Sequence, residues 1–182
     1  EEDAKAVAQV NKMEEAKAEY SKAAASFEQS LLINPAQPDN YVHLGELLLT
    51  RLRENDRAVR VMQEAGRHFP NTPQITYLLA VALREAKHSQ EEVTTFEEAL
   101  HESEAGGQEM VNDRFFFEYG AAAERAGLYN KAADLFKRAI ELDPANAAQA
   151  YNYLGFMWVD QNIHLDEAED YIKRALAAEP EN

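Results

Sequence analysis

Prolines at nearly regular intervals constrain this chain more than any other feature. Asn34-Pro35, Phe69-Pro70, Asp143-Pro144 and Glu179-Pro180 each close a stretch of helical character, and the prolines lie 35, 74 and 36 residues apart. Those separations are close to one, two and one periods of about 34 residues, the spacing of stacked helix pairs. Within the periods the same residue types recur in order. Leu44-Gly45, Tyr119-Gly120 and Leu154-Gly155 lie inside the first helix of three periods. Ala58, Ala132 and Ala168 open the second helix, and Met62, Phe136 and Ile172 come four positions later. Ala65, Ala139 and Ala175 follow, and five residues after each stands the proline.

Each recurring type has a physical reason. Gly and Ala remove the bulk between two helix axes, so antiparallel helices can cross closely. Glycine inside a helix costs up to about 1 kcal/mol, so three such placements require a packing benefit. A bulky residue four positions after a small one lies on the same helix face and fills the space beside the crossing. Proline cannot continue a helix and pushes the preceding residue out of helical conformation, so it separates neighbouring units. Helix, tight turn, second helix and stop is the expected unit.

The stretch from Phe116 to Pro144, FFEYGAAAERAGLYNKAADLFKRAIELDP, resembles a tetratricopeptide repeat. It carries the aromatic at Phe116, the Tyr119-Gly120 pair, the turn residues Gly127 and Tyr129, then Ala132, Phe136, Ala139 and Pro144. Residues 147–180 are similar, with a longer inter-helix turn around Gln161–His164, and residues 38–70 match although Arg53-Glu54-Asn55-Asp56 replaces the usual glycine-containing turn. Residues 72–105 are a degenerate copy: Ala80 replaces glycine, Glu92 replaces alanine, and Phe96 and Ala99 keep the register. The resemblance implies an all-α fold, a right-handed superhelical solenoid of antiparallel helix hairpins. It also implies one domain spanning residues 1–182; the uncovered final helix points to a fragment of a longer array, or to an end that meets another molecule.

Two stretches depart from the pattern. Residues 1–35 hold Ala23, Phe27, Ser30 and Pro35 in register with a second helix, but no turn precedes them. Val10, Met13, Tyr20, Ala24, Phe27 and Leu31 continue a helical stripe through the place where that turn belongs, which predicts one long helix; a degenerate hairpin turning near Met13–Glu15 is the alternative. The connection Ser103-Glu104-Ala105-Gly106-Gly107-Gln108 ends a helix and reads as a loop insertion, with a hinge as the alternative.

Composition narrows the function classes. The chain is 46% hydrophobic and 28% charged, which predicts a soluble globular protein. A formal net charge of −15 argues against unaided nucleic-acid binding, which rests on phosphate neutralisation by Lys and Arg. No apolar run approaches the roughly 20 residues that cross a bilayer, so no direct membrane insertion is expected. Without cysteine there is no disulfide or thiolate metal site, and the compartment, cytoplasm or bacterial periplasm, stays open. There is no phosphate loop, nucleophile turn or metal-binding His-Glu-x-x-His, and His43, His68, His88, His101 and His164 lack ligand spacing. No enzyme activity, cofactor or metal is expected.

In tetratricopeptide proteins the first helices line a concave groove that receives a peptide. The resemblance places Val42, His43, Glu46 and Leu49 there, then Tyr77, Val81 and Arg84, then Arg114, Phe117, Glu118, Ala121 and Arg125, and finally Gln149, Asn152, Phe156 and Asp160. Phe117 and Phe156 are the expected anchors, because Phe116 and Tyr151 already fill the inter-helix slots; packing between helices is the alternative for both. One version of the family clamps acidic chaperone tails with groove Lys, Arg and Asn. Here only Asn152 is a counterpart, while Val42, Glu46 and Phe117 occupy other slots of that clamp. The expected partner is therefore an apolar or mixed peptide, or a segment with one or two basic residues facing Glu46, Glu118 and Asp160. The alternative is a self-association module that pairs through terminal helices, since Leu165, Tyr171, Ile172 and Leu176 near the final helix have no helix after them to cover them.

Overall fold

The computed structural model describes residues 2–106 and 111–178, without the side chains of residues 2–8 and 10. Glu179-Pro180, Gly107-Gln108 and the Val10 side chain, all invoked by the sequence pattern, lie outside the described residues. Among the described residues every regular element is helical: α1 Glu2–Ile33, α2 Pro38–Leu47, α3 Asn55–His68, α4 Pro73–Glu85, α5 Ser89–Gly106, α6 Asp113–Arg125, α7 Tyr129–Leu142, α8 Ala148–Asp160 and α9 Leu165–Ala178. A π-helical turn, Leu48–Leu52, continues α2. The chain divides into two compact units, residues 1–88 and 89–182, and the division falls between α4 and α5, inside the degenerate copy.

The glycines occupy equivalent crossings. A Cβ on Gly45 would stand 2.7 Å from Met62 Sδ, one on Gly120 2.8 Å from the Phe136 ring, and one on Gly155 2.8 Å from Ile172 Cγ1. These contacts join first helix to second helix in three hairpins, α2–α3, α6–α7 and α8–α9, and the bulky residue is in each case the one four positions after the opening alanine. Met62 and Phe136 are fully buried, as are Ala58, Ala132 and Ala168.

Hairpin lengths differ by one residue, and the chain absorbs the difference in two ways. Gly120 and Ala132 are 12 positions apart, but Gly45 and Ala58 are 13 apart, as are Gly155 and Ala168. In the first hairpin the π-helical turn takes up the extra residue, and Arg53 ends it in the left-handed region at φ 58°. In the last hairpin the turn takes it up instead, with both Asn162 (φ 54°) and His164 (φ 46°) left-handed. Helices α4, α6 and α8 otherwise end alike, with Lys87, Gly127 and Asn162 left-handed. The next amide, of His88, Leu128 or Ile163, then donates back to the carbonyl of Leu83, Ala123 or Trp158 at 2.9, 2.8 and 3.0 Å. This is the six-to-one closure that satisfies the last carbonyls of a helix.

In unit 1 the core gathers Ala24 of α1, Leu44, Leu48, Leu49 and Leu52, Ala58 and Val59 of α3, and Ala82 and Leu83 of α4. The long first helix is there, and among its described side chains the packed ones lie in its second half. Residues 11–19 are all exposed, Met13 at 65%, and the packed stripe runs from Tyr20 through Ala24 and Phe27 to Leu31. Arg57 ties α3 to this half, reaching Glu28 at 2.7 Å and Glu54 at 2.6 Å. The Asn55 side chain at the start of α3 donates to the Glu85 carbonyl ending α4 at 2.7 Å. In unit 2 the Gln90 side chain repeats this device, donating to the Ala126 carbonyl after α6 at 3.1 Å.

Unit 2 is built around aromatic rings. Phe96 of α5 stacks on Tyr119 at 5.5 Å and meets Phe115 edge-on at 5.6 Å, and Tyr171 of α9 stacks on Trp158 of α8 at 5.5 Å. Glu92 occupies the small-residue slot of α5 and is 1% exposed, with Arg125 Nη2 of α6 donating to its Oε1 at 2.6 Å. A carboxylate in an alanine slot is tolerable only with such a partner, because an uncompensated buried charge is strongly destabilising.

Two measurements test these packing claims by urea denaturation. Gly120→Ala and Gly155→Ala should each destabilise by about 1–2 kcal/mol, because the Phe136 ring and the Ala168 carbonyl (3.1 Å from the added Cβ) cannot yield easily. Gly45→Ala should lose less, since the flexible Met62 thioether can swing aside and alanine favours the helix. Equal losses at all three would show that the crossings do not set the spacing. Arg125→Ala should cost about 2–3 kcal/mol, below the full penalty for a buried pair because the arginine is partly exposed. Adding Glu92→Ala should recover most of that loss; a double variant no more stable than Arg125→Ala would mean the ion pair is not the cause.

Candidate aromatic face on α6 and α8

Asn112 fixes where α6 begins: its Oδ1 accepts from the Phe115 amide at 2.9 Å, the bond expected of an N-cap. From that start Arg114, Phe117, Glu118, Ala121 and Arg125 follow at helical spacing on one face. Thirty-five positions on, as Gly155 follows Gly120, Gln149, Asn152, Tyr153, Phe156 and Asp160 take the equivalent places on α8. A cavity of about 440 Å³ lies between the two helices, lined by Asp113, Arg114, Phe117 and Glu118 of α6 and by Asn146, Ala147, Gln149 and Ala150 at the start of α8. Ala139 of α7 closes it. Because the N-terminal turns of both helices line one space, α6 and α8 run in the same direction.

Phe117 is half-buried and stands edge-on to Tyr153 at 5.2 Å, with the Phe136 ring at 5.9 Å. It is therefore both a wall of the cavity and a support for the core, so the packing role left open for it in the sequence holds alongside its place on the face. Phe156, one turn along from Tyr153, is 52% exposed. Glu118 is buried, and Arg114 Nε donates to its Oε1 at 3.0 Å, so its charge is answered within the helix. Arg125 turns toward α5 and Glu92. Asn152 is half-buried and Asp160 exposed at the end of α8.

The remaining expected groove residues belong to unit 1. Val42 is half-buried on α2, His43 is exposed but meets the Phe27 ring of α1 edge-on at 5.9 Å, and Glu46 is exposed. Tyr77 and Arg84 are half-buried on α4, and Arg84 Nε lies 3.3 Å from Glu85 Oε1. Tyr153 and Asp113 were not among the expected groove residues. Tyr153 was detectable as the repeat equivalent of Glu118; nothing in the sequence marked Asp113, which lies at the first position of α6. Among the described residues no group of three or more His, Cys, Asp or Glu side chains could hold a metal ion. No described helix is long and apolar enough to cross a membrane.

The sequence matches a tetratricopeptide repeat model over residues 9–182, and no curated protein matches it. Among solved structures, MamA is similar with a TM-score of 0.77 at 18% identity, over 91% of this chain and 92% of that one. MamA from Desulfovibrio magneticus RS-1, from residue 41 to its end, gives 0.76 at 19% identity, over 93% and 92%. YrrB, described as a TPR protein with an unusual peptide-binding site, gives 0.74 at 17% identity, over 98% and 84%. At these identities the likeness is one of fold. Carrying the matched repeat over residues 9–182, with glycine crossings at three hairpins, this chain belongs to the tetratricopeptide repeat family.

Proposed function

We propose that this chain is a non-enzymatic protein-interaction scaffold, and that the α6–α8 face of unit 2 receives a peptide or helix from a partner protein. The observation that carries this is the pairing of an open cavity with aromatic side chains at its edge. Phe117 lines a space of about 440 Å³ and stands edge-on to Tyr153, and Phe156 continues the same face outward. Exposed aromatic side chains on a rigid helical face are the usual anchors of protein recognition. The solved structure of YrrB, whose description records a peptide-binding site on this fold, adds support. Val42, His43, Glu46, Tyr77 and Arg84 are proposed as the corresponding face of unit 1.

One observation favours a second reading, self-association through the last helix. Leu165 and Leu176 of α9 are about half exposed, with Tyr171 and Ile172 half-buried between them.

Two measurements separate the readings. Peptides selected from a random library on the full chain should lose about 1–3 kcal/mol of affinity on Phe156→Ala, with the helical circular dichroism signal unchanged. Phe117→Ala should weaken binding too, but at a cost in stability, because its ring supports Phe136. Binding insensitive to Phe156→Ala would remove the α6–α8 face from consideration. Sedimentation across a concentration series should give a constant monomer mass; a dimer abolished by Leu176→Ser would favour the terminal-helix reading.

A further inference from the structure

Resting on the α6–α8 reading, we infer the chemistry of the partner: an apolar or aromatic residue seated on Tyr153 and Phe156, with a lysine or arginine near it meeting Asp160.

The two units differ sharply in charge. Residues 1–88 hold 13 acidic and 11 basic side chains, a net of −2, whereas residues 89–182 hold 20 acidic and 7 basic, a net of −13. All seven bases of unit 2 are already engaged within it. Arg114, Arg125, Lys131, Lys173 and Arg174 pair with Glu118, Glu92, Glu97, Glu169 and Asp170. The other two lie over aromatic faces, Lys137 Nζ 5.2 Å from the Trp158 ring and Arg138 4.2 Å from the Phe116 ring. Unit 2 thus has no uncommitted lysine or arginine to pair with its remaining carboxylates, which leaves them open to a cation from a partner.

Position along the face decides which carboxylate receives it. At the N-terminal end of the cavity, Glu118 is held by Arg114, and Asp113 faces the positive end of α6. Beyond the cavity, at the C-terminal end of the face, Asp160 is the last residue of α8, where the helix dipole is negative and adds to the carboxylate. Asp160 is exposed and forms no ion pair among the described residues. Tyr153, Phe156 and Asp160 are spaced i, i+3 and i+7, so they share one stripe: two apolar anchors and then an anion. Helix α8 carries no lysine or arginine that would repel a cation there. Acidic side chains on helices are usually merely solvated. Asp160 differs in ending an exposed aromatic stripe in a unit whose own bases are all committed.

The test selects random peptides on the full chain and titrates a synthetic copy of the best one. The selected peptides should be enriched in lysine or arginine close to an aromatic or aliphatic residue. Asp160→Lys should weaken binding about tenfold, and Asp160→Asn should weaken it less. Changing the peptide's basic residue to glutamate should reverse the preference, so that this peptide binds Asp160→Lys better than wild type. Asp160→Lys places a cation at a helix C-terminus and should fold at least as well as wild type, as circular dichroism will check. Peptides that lose binding on Phe156→Ala yet ignore Asp160→Lys, or show no basic enrichment, would overturn this inference and leave the α6–α8 reading intact. No selectable peptide, or one indifferent to Phe156→Ala, would overturn both. A concentration-dependent dimer abolished by Asp160→Lys would place a second copy of the chain on the face and overturn the inference as well.

Discussion

The close crossing of paired helices at a glycine is the contact on which the rest of this structure depends. Gly45, Gly120 and Gly155 leave room for Met62, Phe136 and Ile172, each within 3 Å of where a Cβ would stand. A crossing this tight fixes the rotation of the first helix about its own axis, because only the glycine face can approach the second helix. Once that rotation is fixed, so is every other face. Phe117 precedes Gly120 by three positions and so leans on the Phe136 ring of the partner helix, while Tyr153 and Phe156 flank Gly155 and Phe156 is carried outward. The proposed binding surface is thereby a consequence of the core.

Tolerance of irregularity follows from the same arrangement. With the crossing and the opening alanine held in place, an extra residue between them must be absorbed locally. The first hairpin widens its helix into a π-helical turn, and the last opens its turn around Asn162 and His164. A π-helical turn costs hydrogen-bond quality over one turn of helix, and a left-handed non-glycine residue costs backbone energy of roughly 1–2 kcal/mol. Both are small beside the loss of packing that a shifted register would cause. Glu92 is the chemical counterpart of these insertions. A carboxylate in an alanine slot survives because Arg125, from the neighbouring first helix, reaches it at 2.6 Å.

That use of Arg125 belongs to a wider division of labour in unit 2. Its few basic side chains serve internal contacts, as ion partners or as covers for aromatic rings. Arg138 over Phe116 and Arg174 over Tyr151 repeat one such contact in successive hairpins. What is left for the surface is a surplus of carboxylates and a few aromatic side chains. Such a surface attracts cations over a range of about 8 Å at physiological salt and repels other acidic segments. Electrostatics of this kind sets which partner approaches, while aromatic burial sets how firmly it stays.

The helix pairs were legible in the sequence because proline, glycine and alanine act locally. Proline marks a helix boundary, following the end of α3 at Pro70 and opening α4 at Pro73, and a glycine inside a helix, 12 or 13 positions before its partner alanine, has no purpose there except close packing. Hence the hairpins could be read from Gly45, Ala58, Pro70 and their repeats, and the unbroken stripe through Tyr20, Ala24, Phe27 and Leu31 favoured one long first helix over a hairpin. Side-chain commitments could not be read this way. The sequence offers Arg114 to Glu118 at i, i+4 and no lysine or arginine at such spacing to Asp160, but it does not say that Glu118 is buried and Asp160 exposed. Nor does it distinguish Arg125, spent on Glu92, from a groove arginine offered to a ligand. Those pairings join residues on different helices or depend on depth of burial, as does the edge-on contact of Phe117 with Tyr153 across two hairpins. The sequence by itself determined where the helices begin, end and cross, because those are properties of single residues and their spacing. Only the tertiary structure decided which charges and rings remain for a partner, because that depends on what each side chain meets after the helices have packed.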